Sequence, residues 1–182
     1  MPVSTGAPSG AGEGAGKQSG AGRPAHAGVA AAGCARQVMR QEDAMLRGGH
    51  RAVPHTADLR VEAWAPTREE CLAHAVRAVC ESFLDLTGAV GVRWRDVTVR
   101  EDSDEDVLVA LLEEILYRLD TEGEIPVEVE PGPVADGLRV RLRMADIDSL
   151  PSTGAVPKAV TLHELGFGPG PEGWTCVVTL DV

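Results

Sequence analysis

Four places along the chain bring together side chains suited to chemistry. The first is His55-Thr56-Ala57-Asp58, where Asp58 shares parity with Arg60 and Glu62 and so points away from Leu59 and Val61. The second is Leu180-Asp181-Val182; Trp174, Cys176, Val178 and Leu180 define one face of a strand and leave Asp181 on the other. A carboxylate at Asp58, a second at Asp181 and the α-carboxylate of Val182 are hard oxygen donors of the kind Ca²⁺ and Mg²⁺ select. Solvated carboxylates at strand ends are the competing reading. Lys158 is the third place, the sole lysine among eleven arginines beyond residue 49, and a compact charge suited to a phosphate or a partner carboxylate. The fourth is Asp120-Thr-Glu-Gly123 at a helix exit, which reads otherwise as a polar terminus.

Several chemistries find no support. There is no P-loop, GxGxxG, HExxH or EF-hand loop. Nor does any serine lie in a nucleophile elbow that would pair Ser149 or Ser152 with His163. Arg139, Arg141 and Arg143 form a basic stripe, but Glu128 and Glu130 lie on the expected hairpin partner, so cross-strand ion pairing is expected there instead of phosphate binding. Cys34, Cys71, Cys80 and Cys176 form no CxxC pair; Cys71 and Cys80 face opposite sides of one helix, and all are read as buried thiols.

Charge and composition divide the chain. Residues 1–49 hold 11 of the 21 glycines, 11 alanines and none of the six aromatic residues, so the tail, residues 1–47, is expected to be disordered. Beyond residue 49 stand 12 Lys/Arg against 25 Asp/Glu, a balance of −13. Such a domain repels phosphate backbones and anionic membranes, and favours a cation or a basic protein partner. With no membrane-length apolar run and no basic-then-apolar start, a cytoplasmic location is expected.

The elements that must position the four places are legible in outline. Leu59, Val61 and Ala63 alternate in a strand over about 58–64. Thr67-Arg-Glu-Glu70 is a capping box opening a helix that runs to about Asp85, with Leu72, Val76, Val79, Cys80 and Phe83 on one stripe. A strand over about 92–100 follows, then Ser103-Asp-Glu-Asp106 starts a second helix that Gly123 stops. Strands over about 125–130 and 138–144 are joined through PGPVADG, a polar loop covers 145–156, and PKAVTLHELGF and WTCVVTLDV close the chain. The class is α+β: a largely antiparallel mixed sheet packed against two main helices.

In this order, HTADLRVEAWAPTREECLAHAV, LLEEILYRLDTEG, VPKAVTLHEL and VVTLDV resemble the archease family over residues 48–182. The Gly/Ala-rich tail departs from the family pattern, as does Trp64-Ala65 where a glycine often precedes the Pro-Thr. The resemblance implies an activator of an RtcB-type RNA ligase in tRNA splicing and RNA repair. Such a protein promotes ligase guanylylation and multiple turnover, performs no chemistry itself and carries a divalent cation, commonly Ca²⁺, with Mg²⁺ or Mn²⁺ as alternatives. It places the metal on Asp58, Asp181 and the Val182 carboxylate, and the lysine of the family's KAVT segment on Lys158; Lys158, His55 and Asp120 are the candidates for partner contact and activation. The rival readings are a metal-dependent hydrolase built on Asp58, Asp181 and a histidine, and a general protein-binding chaperone.

Overall fold

The computed structural model describes residues 47–54 and 58–182; the tail up to residue 46 and His55 lie outside them. The chain runs β1 (Gly49–Pro54), β2 (Asp58–Ala65), α1 (Arg68–Glu81), β3 (Arg93–Val99), α2 (Asp104–Glu122), β4 (Glu124–Val134), β5 (Gly137–Asp146), a 3-10 turn (Ile147–Ser149), β6 (Ala159–Gly170) and β7 (Gly173–Asp181). The expected α+β class holds, but one mixed sheet is replaced by two separate ones. Their orders are β1-β2-β7-β6 and β3-β5-β4, and every described pairing is antiparallel.

Both described helices start where their end residues dictate, and the second stops where its end residue does. The Thr67 hydroxyl accepts from the Glu70 amide at 3.2 Å, and the Ser103 hydroxyl accepts from that of Asp106 at 3.0 Å. Gly123 ends α2 in the left-handed conformation, φ 64°, its amide donating to the Arg118 carbonyl. Helix α1 ends at Glu81, short of the expected Asp85, yet Phe83 and Leu84 beyond it stay buried.

Helix α1 lies between the sheets, packed on β1, β2 and β7 of one and on β4 of the other. That position explains why Cys71 and Cys80, on opposite sides of the helix, are both buried, along with Leu72, Ala75, Val76, Ala78 and Val79. The amphipathic stripe read from the sequence was therefore too narrow. Burial pushes the Cys71 and Cys80 thiols up to about 12 and raises that of Cys176 as well. An aromatic disulfide reagent at pH 8 is accordingly expected to leave these three thiols unmodified in the native protein and to modify all three in denaturant; native-state modification of any of them would contradict this packing.

Two elements differ from expectation for identifiable reasons. The segment PGPV continues β4 to Val134, because β4 is an edge strand and an edge tolerates Pro126, Pro131 and Pro133, which cannot donate to a ladder. Strand β1 carries no alternating apolar signal, since Arg51, Ala52 and Val53 are all exposed on the outermost strand.

Candidate functional site

Alternation along β2 and β7 does what the sequence requires. Leu59, Val61, Ala63 and Ala65 are buried on one side of β2, while Cys176, Val178 and Leu180 are buried on β7. Asp58 and Asp181 are exposed at the strand ends and are direct cross-strand partners. Residues opposed in this way hold their Cβ atoms about 4.5–5.5 Å apart on the same face, and two like charges so placed repel. Strand β7 lies between β2 and β6, so Asp181 also pairs with Ala159, and the Lys158 amide donates to the Asp181 carbonyl at 2.8 Å. The topology thus gathers Asp58, Asp181 and Lys158, separated by up to 123 positions, at one end of one sheet. Val182 follows directly, its side chain half-buried against the core.

Lys158 and Asp120 line one cleft of about 690 Å³ between α2 and the start of β6. Its floor is apolar, from Leu116, Leu119, Ile147 and Val160, and Glu113 and Tyr117 complete the α2 wall. Tyr117 is 61% exposed. Reading the sequence missed it, although a signal was available: Tyr117 falls off the stripe of Leu108, Leu111, Leu112, Ile115, Leu116 and Leu119, so a large side chain stands on the solvent face of α2.

The remaining sequence candidates separate cleanly. The arginine stripe of β5 is neutralised as expected: Arg143 bonds Glu128 at 2.8 Å, Arg141 bonds Glu130 at 3.0 Å, and Arg139 pairs with Asp96 at 2.8 Å. Arg141 also lies over the Trp94 ring at 4.5 Å. Among the described residues no serine meets His163. That histidine is exposed in a four-residue bulge of β6, while Ser149 donates to the Asp146 carbonyl and Ser152 to that of Gly154. Glu164, in the same bulge, has φ 56° and is ion-paired with Arg60. Arg60 and Arg51 both bond Glu62; burial works to raise the Glu62 pKa, but these two guanidinium groups outweigh it and hold the carboxyl below its usual range.

Among the described residues no three His, Cys, Asp or Glu side chains gather closely enough to hold a metal ion. The donors at the sheet end are two aspartates, with backbone carbonyl or water oxygens left to complete any coordination. All are hard, and that donor chemistry fits Ca²⁺ or Mg²⁺ and not a thiolate- or imidazole-preferring metal. Among the described residues, two helices and two antiparallel sheets set the paired aspartates at one sheet end beside a lysine-bearing cleft.

The chain matches the model of the archease protein family over residues 50–182, and it belongs to that family. It is 54% identical over 134 residues to the probable protein archease of Mycobacterium tuberculosis, covering 74% of this chain and 75% of the relative. The protein archease of Archaeoglobus fulgidus is 33% identical over 142 residues, covering 73% and 98%. The solution structure of Methanobacterium thermoautotrophicum protein 1598 has the same fold, with a TM-score of 0.60 at 23% identity over 74% of this chain and 99% of that one. Among the described residues no helix is long and apolar enough to cross a membrane.

Proposed function

We propose that this archease is a protein cofactor that activates an RtcB-type RNA ligase, promoting guanylylation of the ligase and its multiple turnover in tRNA splicing and RNA repair. The observation that carries the reading is the Asp58–Asp181 pair: two exposed carboxylates set directly opposite each other on neighbouring strands. Such a pair costs stability unless a cation lies between the charges. Asp58, Asp181 and the carboxylate of Val182 would hold a divalent ion, Ca²⁺ by preference, with water in the remaining positions. Lys158, tied through its own amide to Asp181, and Asp120 across the cleft present the adjoining surface to the ligase. The surplus of 25 Asp/Glu over 12 Lys/Arg beyond residue 49 favours encounter with a basic, RNA-binding partner. The activator needs no nucleophile–base pair, which accords with a reading as a non-enzyme.

Labelled GTP, ligase and a divalent metal, mixed with and without catalytic amounts of this protein, test the reading. Faster transfer of the guanylyl group to the ligase is the expected result, with no hydrolysis of generic phosphoesters by this protein alone. Phosphoester hydrolysis without ligase would favour the hydrolase instead.

A further inference from the structure

Away from the aspartate pair, two histidines meet across the seam between β1 and α1. His50 Nδ1 lies 3.2 Å from His74 Nδ1, and His50 Nε2 lies 2.9 Å from a Glu81 carboxylate oxygen. The carboxylate only accepts, so Nε2 of His50 carries a hydrogen. While the pair holds no extra proton, His50 Nδ1 is a lone pair and His74 Nδ1–H donates to it. With one extra proton on His50 the bond reverses, His50 Nδ1–H donating to the His74 lone pair. With two, both Nδ1 atoms carry hydrogens, the bond is lost, and two positive rings face each other.

The surrounding groups leave the rings no easy retreat. A Cβ at Gly48, which has φ +66° and immediately precedes β1, would lie 2.6 Å from His74 Nε2, so the ring is held between Gly48 and His50. From α1, Arg77 and Glu70 act on His74; Arg77 also bonds Glu81 at 2.6 Å. From β4, Glu128 and Glu130 line the cleft onto which His74 opens, and both are engaged by Arg143 and Arg141. On β1 and β2, Arg51 and Glu62 pair with each other. Among the described residues strand β1 is an edge, bonded in the sheet to β2 alone, and the His50 contacts with His74 and Glu81 tie it to α1.

We propose that the His50–His74 pair is an acid-sensitive clasp, which fastens edge strand β1 to helix α1 and lets it go when both rings are protonated. Burial, and after it the charges of His50 and Arg77, lowers the pKa of His74 against the opposing pull of Glu70 and Glu81. A histidine whose folded pKa is depressed contributes stability above the unfolded value of about 6.5 and loses it as pH falls below that value. Glu81 stays ionised through this window: burial works to raise its pKa, but bonds from His50 and Arg77 hold it below the usual range.

Hydrogen exchange of the full chain at pH 7.5 and 5.5, corrected for the intrinsic pH dependence of exchange, tests the clasp. Protection of the β1 amides should fall several-fold at pH 5.5 while that of β7 holds. His74→Asn places an untitratable amide near the position of Nδ1 and should keep β1 protected at both pH values. Unchanged β1 protection in the parent protein, or pH dependence that survives His74→Asn, would overturn the proposal. Should that variant fail to fold, ring titration by NMR decides: β1 amide shifts must follow the His74 midpoint, and shifts that ignore it reject the clasp.

Discussion

Replacing Asp58 or Asp181 by alanine is expected to weaken Ca²⁺ binding by about 10- to 100-fold, the scale set by losing one of two anionic ligands to a divalent ion near the protein surface. Ligase activation should fall with it. The fold should not. Both side chains are exposed and belong to no part of the core, and removing one member of a directly opposed like-charged pair relieves repulsion. Without metal, each variant should therefore unfold at the same temperature as the parent or slightly above it. With saturating Ca²⁺ the order reverses, because only the parent gains the free energy of binding. This crossing of stabilities separates a metal site from a merely structural pair of aspartates. Calorimetric Ca²⁺ titration beside thermal unfolding with and without the ion measures both halves; variants that bind Ca²⁺ as the parent does place the site elsewhere.

The largest expected loss of stability comes from Leu72→Ala, at about 3–5 kcal/mol. Leu72 is fully buried on α1, a helix packed against both sheets. A one-sided helix can settle toward its single sheet and shrink the cavity that truncation leaves. One packed on β2 and β4 at once cannot approach either without leaving the other, so the cost should fall in the upper part of the range for such substitutions. Leu162→Ala serves as the control, because that side chain is 71% exposed and its loss should change stability by less than about 0.5 kcal/mol. Denaturant unfolding of both variants checks the pair of values; similar small effects at the two positions would mean that α1 does not bridge the sheets.

Signals local in sequence were legible, and those that depend on layering were not. Thr67, Ser103 and Gly123 announce the helix ends because each supplies or satisfies a backbone group within a few residues. Asp58 and Asp181 follow from the period of two, since Leu59 and Leu180 fix which face is buried. Their direct opposition did not follow from either segment alone, because register is a property of the pair. The division into two sheets was hidden for a similar reason: a helix buried on both sides differs from a one-sided helix only in small residues such as Ala75 and Ala78, which helices favour anyway. The cleft joining Asp120 to Lys158, and the meeting of His50 with His74, each bring together residues more than 20 positions apart. No local pattern encodes those.

Counting ligated RNA per ligase molecule decides whether this protein serves a ligase through a cation held by Asp58 and Asp181. The ligase is held limiting, this protein is present below its concentration, and parent, Asp58→Ala and Asp181→Ala are compared in the same metal. Many products per ligase are expected with the parent protein, and a yield close to that of ligase alone with either variant. Equal yields from all three, or no gain from the parent itself, would contradict that role.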